Sequence, residues 1–242
     1  MRHISIIFKR ELKAYFNNPL AYVLIIIFSL LSMGLTFVIG KFLELNDASL
    51  TSFFWFHPWI YMIFGPAIGM RLWSEEHRQG TTELLLTMPI SAWEAIVGKF
   101  LAACVVLAAA LLSTLTIVYT VYHLGKPDGA MIFSGYLGSF LIGAATIAIT
   151  CVISAMSRSQ ISCLLISVCI CFILVLAGFP SVTDFLRPNF PWLADLGNSV
   201  SFWWHQSEMA CGLVRFQSLV YLLSLIAFCL YLTSVIIRSK RA

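Results

Sequence analysis

Charge is scarce in this chain. Of 242 residues only 11% are Asp, Glu, Lys or Arg, and 60% are hydrophobic, whereas a soluble domain carries about a quarter charged residues. That balance excludes an ordinary water-soluble globular domain. Motifs for soluble chemistry are missing too. No G-x-x-x-x-G-K-[ST] phosphate loop occurs, since Gly98-Lys99 and Gly125-Lys126 have neither the spacing nor the following hydroxyl. The chain therefore has no visible means of binding ATP itself. Seven cysteines (Cys104, Cys151, Cys163, Cys169, Cys171, Cys211 and Cys229) form no CxxC pair, so neither a zinc site nor a disulfide framework is expected. Lying mostly inside apolar runs, they read as small hydrophobes. His3, His57, His77, His123 and His205 are scattered, with no i, i+4 pair and no H-E-x-x-H, so no metal site is expected. No G-x-S-x-G accompanies the serines, and no residue is assigned a catalytic role.

What is present is length of apolar run. Six stretches are long enough for the hydrocarbon layer, which takes about 20 residues of helix: 20–40, 53–72, 95–122, 130–156, 161–180 and 216–237. They are too long for barrel strands, so they read as helices, which satisfy their own backbone in lipid. The second contains Pro58, Pro66, Gly65 and Gly69 and is expected to be kinked. The third carries Lys99 near its start, and none has a charge at its middle, so an ion or proton relay is not expected. The expected fold is an all-α polytopic membrane protein of six transmembrane helices.

An even number of spans puts both termini on one side. That side holds Arg2, Lys9, Arg10, Lys13, Arg71, Arg78, Lys99, Arg158, Arg238, Lys240 and Arg241; the other holds Lys41, Lys126, Arg187 and Arg215. Basic residues favour the cytoplasm, so the expected orientation is N-in and C-in. The first run is too long, and its flank wrong, for a cleaved signal. Residues 2–18 place Ile4, Phe8, Leu12 and Tyr15 on one helical face with Lys9, Arg10 and Lys13 elsewhere, an amphipathic helix for the headgroup layer. The stretch 181–215, rich in Phe185, Phe190, Trp192, Phe202, Trp203 and Trp204, reads as an outer loop dipping back toward the membrane interface.

The segment 73–92 is the extended connection on the basic side. Gly80 breaks whatever precedes it. Thr81 or Thr82 can cap a following helix, with Glu83 in its first turn at the positive end of the dipole. Pro89 disfavours helix at the residue before it and ends the helix after about two turns. Ser91 and Glu94 then form an S-x-x-E capping box for the next span. A helix this short is unstable alone in water. Its Leu84, Leu85 and Leu86 cover more than one face, so they pack either under the ends of the spans or into a groove on a soluble partner.

These residues carry a resemblance. "SEEHRQGTTELLLTMPISAWEAIVGKF" is similar to the E-x-x-x-G-T-x-E-L-L-L-x-x-P-(I/V)-S pattern after the second span of ABC-2 type transporter permeases, and "FKRELKAYFNNPLAYV" resembles that family's elbow helix. "SFWWHQSEMACGLV" most resembles the gliding-motility-associated subfamily, although Arg215, Phe216 and Gln217 stand where that group usually carries acids. The resemblance implies a half-transporter of the bacterial inner membrane, an exporter in that family's manner, so the chain is not itself an enzyme. A second permease copy or related chain would pair with it. Two separate ATP-binding subunits would carry the ATP and Mg, leaving this chain without a cofactor of its own. A companion membrane protein with a large extracytoplasmic domain is also implied, and no nucleic-acid partner. Gly80, Thr81, Thr82, Glu83, Leu84, Leu85, Leu86, Thr87, Pro89 and Ser91 would form the coupling helix seated in the ATP-binding subunit. Ser157, Arg158, Ser159 and Gln160 would be a second, smaller cytoplasmic contact. An alternative role is a mechanotransmitting anchor that drives an extracytoplasmic partner without moving cargo.

One pattern is left open. Gly135, Ser139 and Gly143 form a small-xxx-small stripe on the fourth span, suited to close helix approach either within one chain or between two.

Overall fold

The structure is a computed structural model that describes residues 2–40, 42, 49–80, 91–188 and 190–239. Regular structure among these residues is entirely helical. In chain order the helices are α1 (Arg2–Phe16), α2 (Pro19–Val38), α3 (Thr51–Gly69), α4 (Arg71–Gln79), α5 (Ala92–Ser113), α6 (Leu115–Leu124), α7 (Gly129–Met156), α8 (Gln160–Leu176), α9 (Pro180–Leu186), α10 (Pro191–Val200), α11 (Phe202–Ala210) and α12 (Phe216–Ser239). Short polar residues start several of them. Asn18 accepts from Leu20 N at 3.0 Å ahead of Pro19, and Asp128 accepts from Ala130 N at 2.9 Å, each satisfying an otherwise orphaned amide.

Four helical stretches among the described residues are long and apolar enough to cross a membrane: Pro19–Val38, Ala92–Leu124, Gly129–Met156 and Phe216–Ser239. The pair Gln160–Leu176 and Pro180–Leu186, bent by 63°, makes a fifth if counted as one span. The expected second span is not in that set. Its place is taken by α3, which runs through both Pro58 and Pro66 and carries Trp55, His57, Trp59 and Tyr61. These side chains lower its apolarity, and they can do so because 11 of its 19 residues are buried against other helices. The expected third span is two helices, α5 and α6, meeting at Thr114.

The buried axis of the bundle is α7, contacted by α3, α4, α5, α8, α11 and α12. Its small residues admit the neighbours, and the stripe of Gly135, Ser139 and Gly143 faces helices of the same chain. A Cβ at Gly135 would run into the ring of Phe54 in α3, and one at Gly143 would lie 2.8 Å from Leu107 Cδ1 in α5. Ser139 between them bonds two α3 residues: its Oγ lies 2.5 Å from His57 Nδ1 and 2.9 Å from Tyr61 Oη. Further along, Gly65 and Gly69 of α3 press on Thr146 and Thr150 of α7. Residue numbers rise together in both helices, so α3 and α7 run side by side in the same direction.

The aromatic stretch after α8 divides by exposure. Phe185, Phe190 and Trp192 point away from the protein, whereas Phe202 and Trp203 are buried. Trp203 packs on Phe179 and Trp55, with ring centroids 5.6 Å and 5.7 Å away. From α11, Gln206 Nε2 donates to Gly135 O at 3.2 Å, and Met209 O accepts from Ser134 Oγ at 2.7 Å. The last of the three short helices is therefore part of the bundle rather than a loop over it.

Candidate functional site

Of the residues expected to dock a partner, Thr81, Thr82, Glu83, Leu84, Leu85, Leu86, Thr87 and Pro89 lie outside the described residues. Gly80 and Ser91, at the two edges, are described, and so are α4 and α5, which carry them. The site is best built from this frame.

The upstream edge is α4. It ends at Gly80, whose φ of 70° is left-handed and whose N–H returns to Glu76 O. Glycine adopts that conformation without the Cβ clash that other residues meet, which makes it a sharp stop. The downstream edge is Ser91. Its Oγ accepts from Glu94 N at 3.2 Å, while the Glu94 carboxylate accepts from Ser91 N at 3.3 Å. This capping box satisfies two free amides at the start of α5.

Helix α4 is fixed from behind by the end of α7. Ser154 Oγ accepts from Trp73 N and Ser74 N, both at 3.0 Å, and lies 3.0 Å from Met70 O, to which it donates. One hydroxyl thus serves the backbone where α3 passes into α4. His77 Nε2 donates to Ala155 O at 3.0 Å. Two residues beyond Ala155 the chain enters the turn of Ser157, Arg158, Ser159 and Gln160, so this second expected contact lies at the same end of the bundle as α4. Arg158 and Ser159 are exposed there, and Ser159 caps α8 by accepting from Ser162 N at 3.5 Å.

The amphipathic helix α1 completes the frame. It lies along α5, where Gly98 leaves room for Ile7: a Cβ at that glycine would meet Ile7 Cγ2 at 3.0 Å. Its Tyr15 is buried and donates to Ile68 O at 3.0 Å. Burial raises the Tyr15 pKa, so the phenol remains a proton donor to that carbonyl.

Beneath the frame lies an ionic cluster that reading the sequence did not single out as a site. Lys99 of α5 is 2% exposed; its Nζ sits 2.9 Å from Glu76 Oε1 of α4 and 3.3 Å from Glu11 Oε1 of α1. The ammonium also lies 5.1 Å from the centroid of the Trp73 ring, within range of a cation–π attraction. Arg10 adds a second base, 2.7 Å from Glu11 and 3.5 Å from Glu76. Burial raises the Glu11 pKa, but Lys99 and Arg10 outweigh it and hold the carboxyl below its ordinary value. The signal in sequence was one lysine in an otherwise uncharged run.

Among the described residues, no group of three or more His, Cys, Asp or Glu side chains is arranged to hold a metal ion. The site as described is mechanical: the end of α4 at Gly80 and the start of α5 at Ser91, on helices that are pinned to the rest of the bundle.

A search of curated proteins finds no match. Residues 6–191, most of the chain and all of the frame just described, match the family model for ABC-2 family transporter proteins. The chain is a multi-pass membrane protein and belongs to the ABC-2 family of transporter proteins, membrane components that pair with an ABC ATP-binding subunit.

Proposed function

We propose that the chain is the permease subunit of an ABC exporter in a bacterial inner membrane, with six spans and both termini in the cytoplasm. Two copies, or this chain and a related one, would each seat the segment from Gly80 to Ser91 in a separate ATP-binding subunit. The turn of Ser157, Arg158, Ser159 and Gln160 makes the smaller contact beside it. ATP and Mg are bound by the partner subunits, and their closure displaces the two docking segments.

The observation that carries this reading is the frame. Helix α4 ends at a left-handed glycine and α5 begins at a capping box, and both helices are pinned to α1 or α7. A segment held in this way can transmit a push. The count of six takes the bent pair of α8 and α9 as one span and adds α3. It accompanies α7 from the Phe54–Gly135 contact to the Gly69–Thr150 contact, about 22 Å at 1.5 Å per residue. It therefore runs beside α7 for about half of that helix's length. The distribution of Lys and Arg supports the orientation.

The uncharged spans favour apolar cargo: lipid-like molecules, hydrophobic peptides or small drugs. A groove of about 230 Å³ between α2 and α3, lined by Leu24, Phe28, Leu31, Trp59, Ile63 and Phe64 among others, offers apolar contact along that path. The subfamily reading is the gliding-motility-associated type, with a companion membrane protein bearing an extracytoplasmic domain. Where that group carries acids, this chain has Arg215, bound to Glu208 of α11 at 2.7 Å.

The test is copurification. Leu85→Asp should release the ATP-binding subunit while the chain still inserts in the membrane; undiminished binding would refute the docking assignment. ATPase activity of the reconstituted complex then separates export from an anchoring role. Stimulation by candidate cargo supports export, and stimulation only by the extracytoplasmic companion counts against it.

A further inference from the structure

We propose that Lys99 is the positioning residue of the docking apparatus, joining α1, α4 and α5 so that α1 moves with the docking segment when the ATPase subunits close. The proposal rests on the docking reading above and adds to it a specific joint.

Three observations converge. First, Glu76 lies one turn before Gly80, and Lys99 lies two turns after Ser91. Their 2.9 Å contact therefore closes the two edges of the docking segment onto each other. Second, the same ammonium reaches Glu11 at 3.3 Å, which brings α1 into the joint from 88 residues away. Third, Lys99 is 2% exposed although a lysine this near the end of a span could extend toward water. The protein keeps the charge buried and surrounds it with two carboxylates and the face of Trp73.

Stability alone does not call for such an arrangement, because well-packed apolar residues commonly stabilise a buried position as well as an ion pair does. What an ion cluster adds is register. Leucines on neighbouring helices can slide past one another and repack. If α4 slipped one turn along α5, about 5.4 Å, Lys99 would lose Glu76 and remain buried without it. The joint therefore resists slip. A displacement entering through residues 81–90 is passed to α1 rather than absorbed between helices.

The experiment uses the full chain copurified with its ATP-binding subunit in lipid nanodiscs. Exposed Cys169 and Cys211 are replaced by serine, and spin labels are attached through cysteines introduced at Ser5 on α1 and Arg78 on α4. The distance distribution is recorded without nucleotide and after trapping with Mg-ATP and vanadate. With Lys99 present, the distribution should stay narrow and unshifted in both states. In Lys99→Met the ATP-binding subunit should remain bound, but the distribution should broaden or shift on trapping. A Lys99→Met complex that stays narrow on trapping would overturn the proposal. Broadening that is complete before nucleotide is added would also overturn it, since the cluster would then be only a static brace. If Lys99→Met does not insert, Glu11→Gln spares the Lys99–Glu76 pair and should loosen α1 alone on trapping; no loosening would count against the joint. Failure of the docking reading looks different: Leu85→Asp would leave the ATP-binding subunit bound.

Discussion

The contact between α3 and α7 can be tested at one atom. A Cβ at Gly65 would overlap the Thr146 hydroxyl and come within 2.6 Å of Thr146 Cβ. Side-chain rotation can move the hydroxyl, but the Cβ moves only if a helix does. Gly65→Ala should therefore incur the cost of overpacking, about 1–3 kcal/mol. A second effect opposes it, because alanine favours a helix over glycine by about 1 kcal/mol. Gly34→Ala isolates that second effect: Gly34 also lies inside a helix, α2, and has nothing within 4 Å of its would-be Cβ. The propensity gain is common to both variants and cancels. Gly65→Ala should thus be less stable than Gly34→Ala by about 1–3 kcal/mol. The assay is thermal unfolding of the purified variants in one detergent, followed by tryptophan fluorescence. Adding Thr146→Ala should recover only part of the loss, since that substitution removes the hydroxyl and keeps the Cβ. Equal melting of Gly65→Ala and Gly34→Ala would refute the close packing of α3 on α7.

Two further outcomes follow from the docking end. Ser91→Ala removes the cap of α5 and should cost about 1 kcal/mol; hydrogen exchange of the amides at 92–95 should accelerate while the bundle interior is unchanged. The second concerns pH. The carboxyl of Glu11 has its folded pKa below the ordinary 4.5, so its contribution to holding α1 is fully present above about 4.5 and is lost as pH falls through the depressed value. Hydrogen exchange or limited proteolysis of α1 between pH 7 and acid should show release on the acid side, and Glu11→Gln should abolish that dependence. Release at high pH instead would reverse the sign and refute the assignment.

What could be read in advance was local. Helical runs show in the absence of charge, Gly80 in its place as a breaker, and the cap of α5 in the pair Ser91 and Glu94, three residues apart. Each of these depends on neighbours within a turn, and a linear pattern reports such neighbours directly. The small-residue stripe on α7 was legible as a place of close approach, but not its partner, because spacing says which face is flat and not what lies on it. Likewise Ser154 is an unremarkable serine until α4 arrives 80 residues earlier in the chain with two free amides. The Lys99 cluster combines both cases. Glu11, Glu76 and Lys99 come from separate helices, and only folding makes them one group. The short helices α9, α10 and α11 were hidden for another reason. Aromatic residues suit both an interface and a core, and Trp192 with Trp203 shows the same residue type used for each.

The two joints differ in kind, and the difference bears on how motion would pass through the molecule. Along α3 and α7, stiffness comes from contact: glycines against threonines and rings, with Ser139 bonded to His57 and Tyr61. Such packing resists compression and shear over its whole length, so α3 and α7 should move as one rod. At the base, stiffness comes from a few charges around Lys99, which tie α1, α4 and α5 to one another at a single point. A rod on an ionic pivot turns a small displacement at residues 81–90 into rotation of the helices above it. An entirely close-packed base would instead carry the bundle along bodily. On this argument, replacing the pivot should change the direction of motion before it changes the fold, which is why Lys99→Met is read by distances under nucleotide and not by melting.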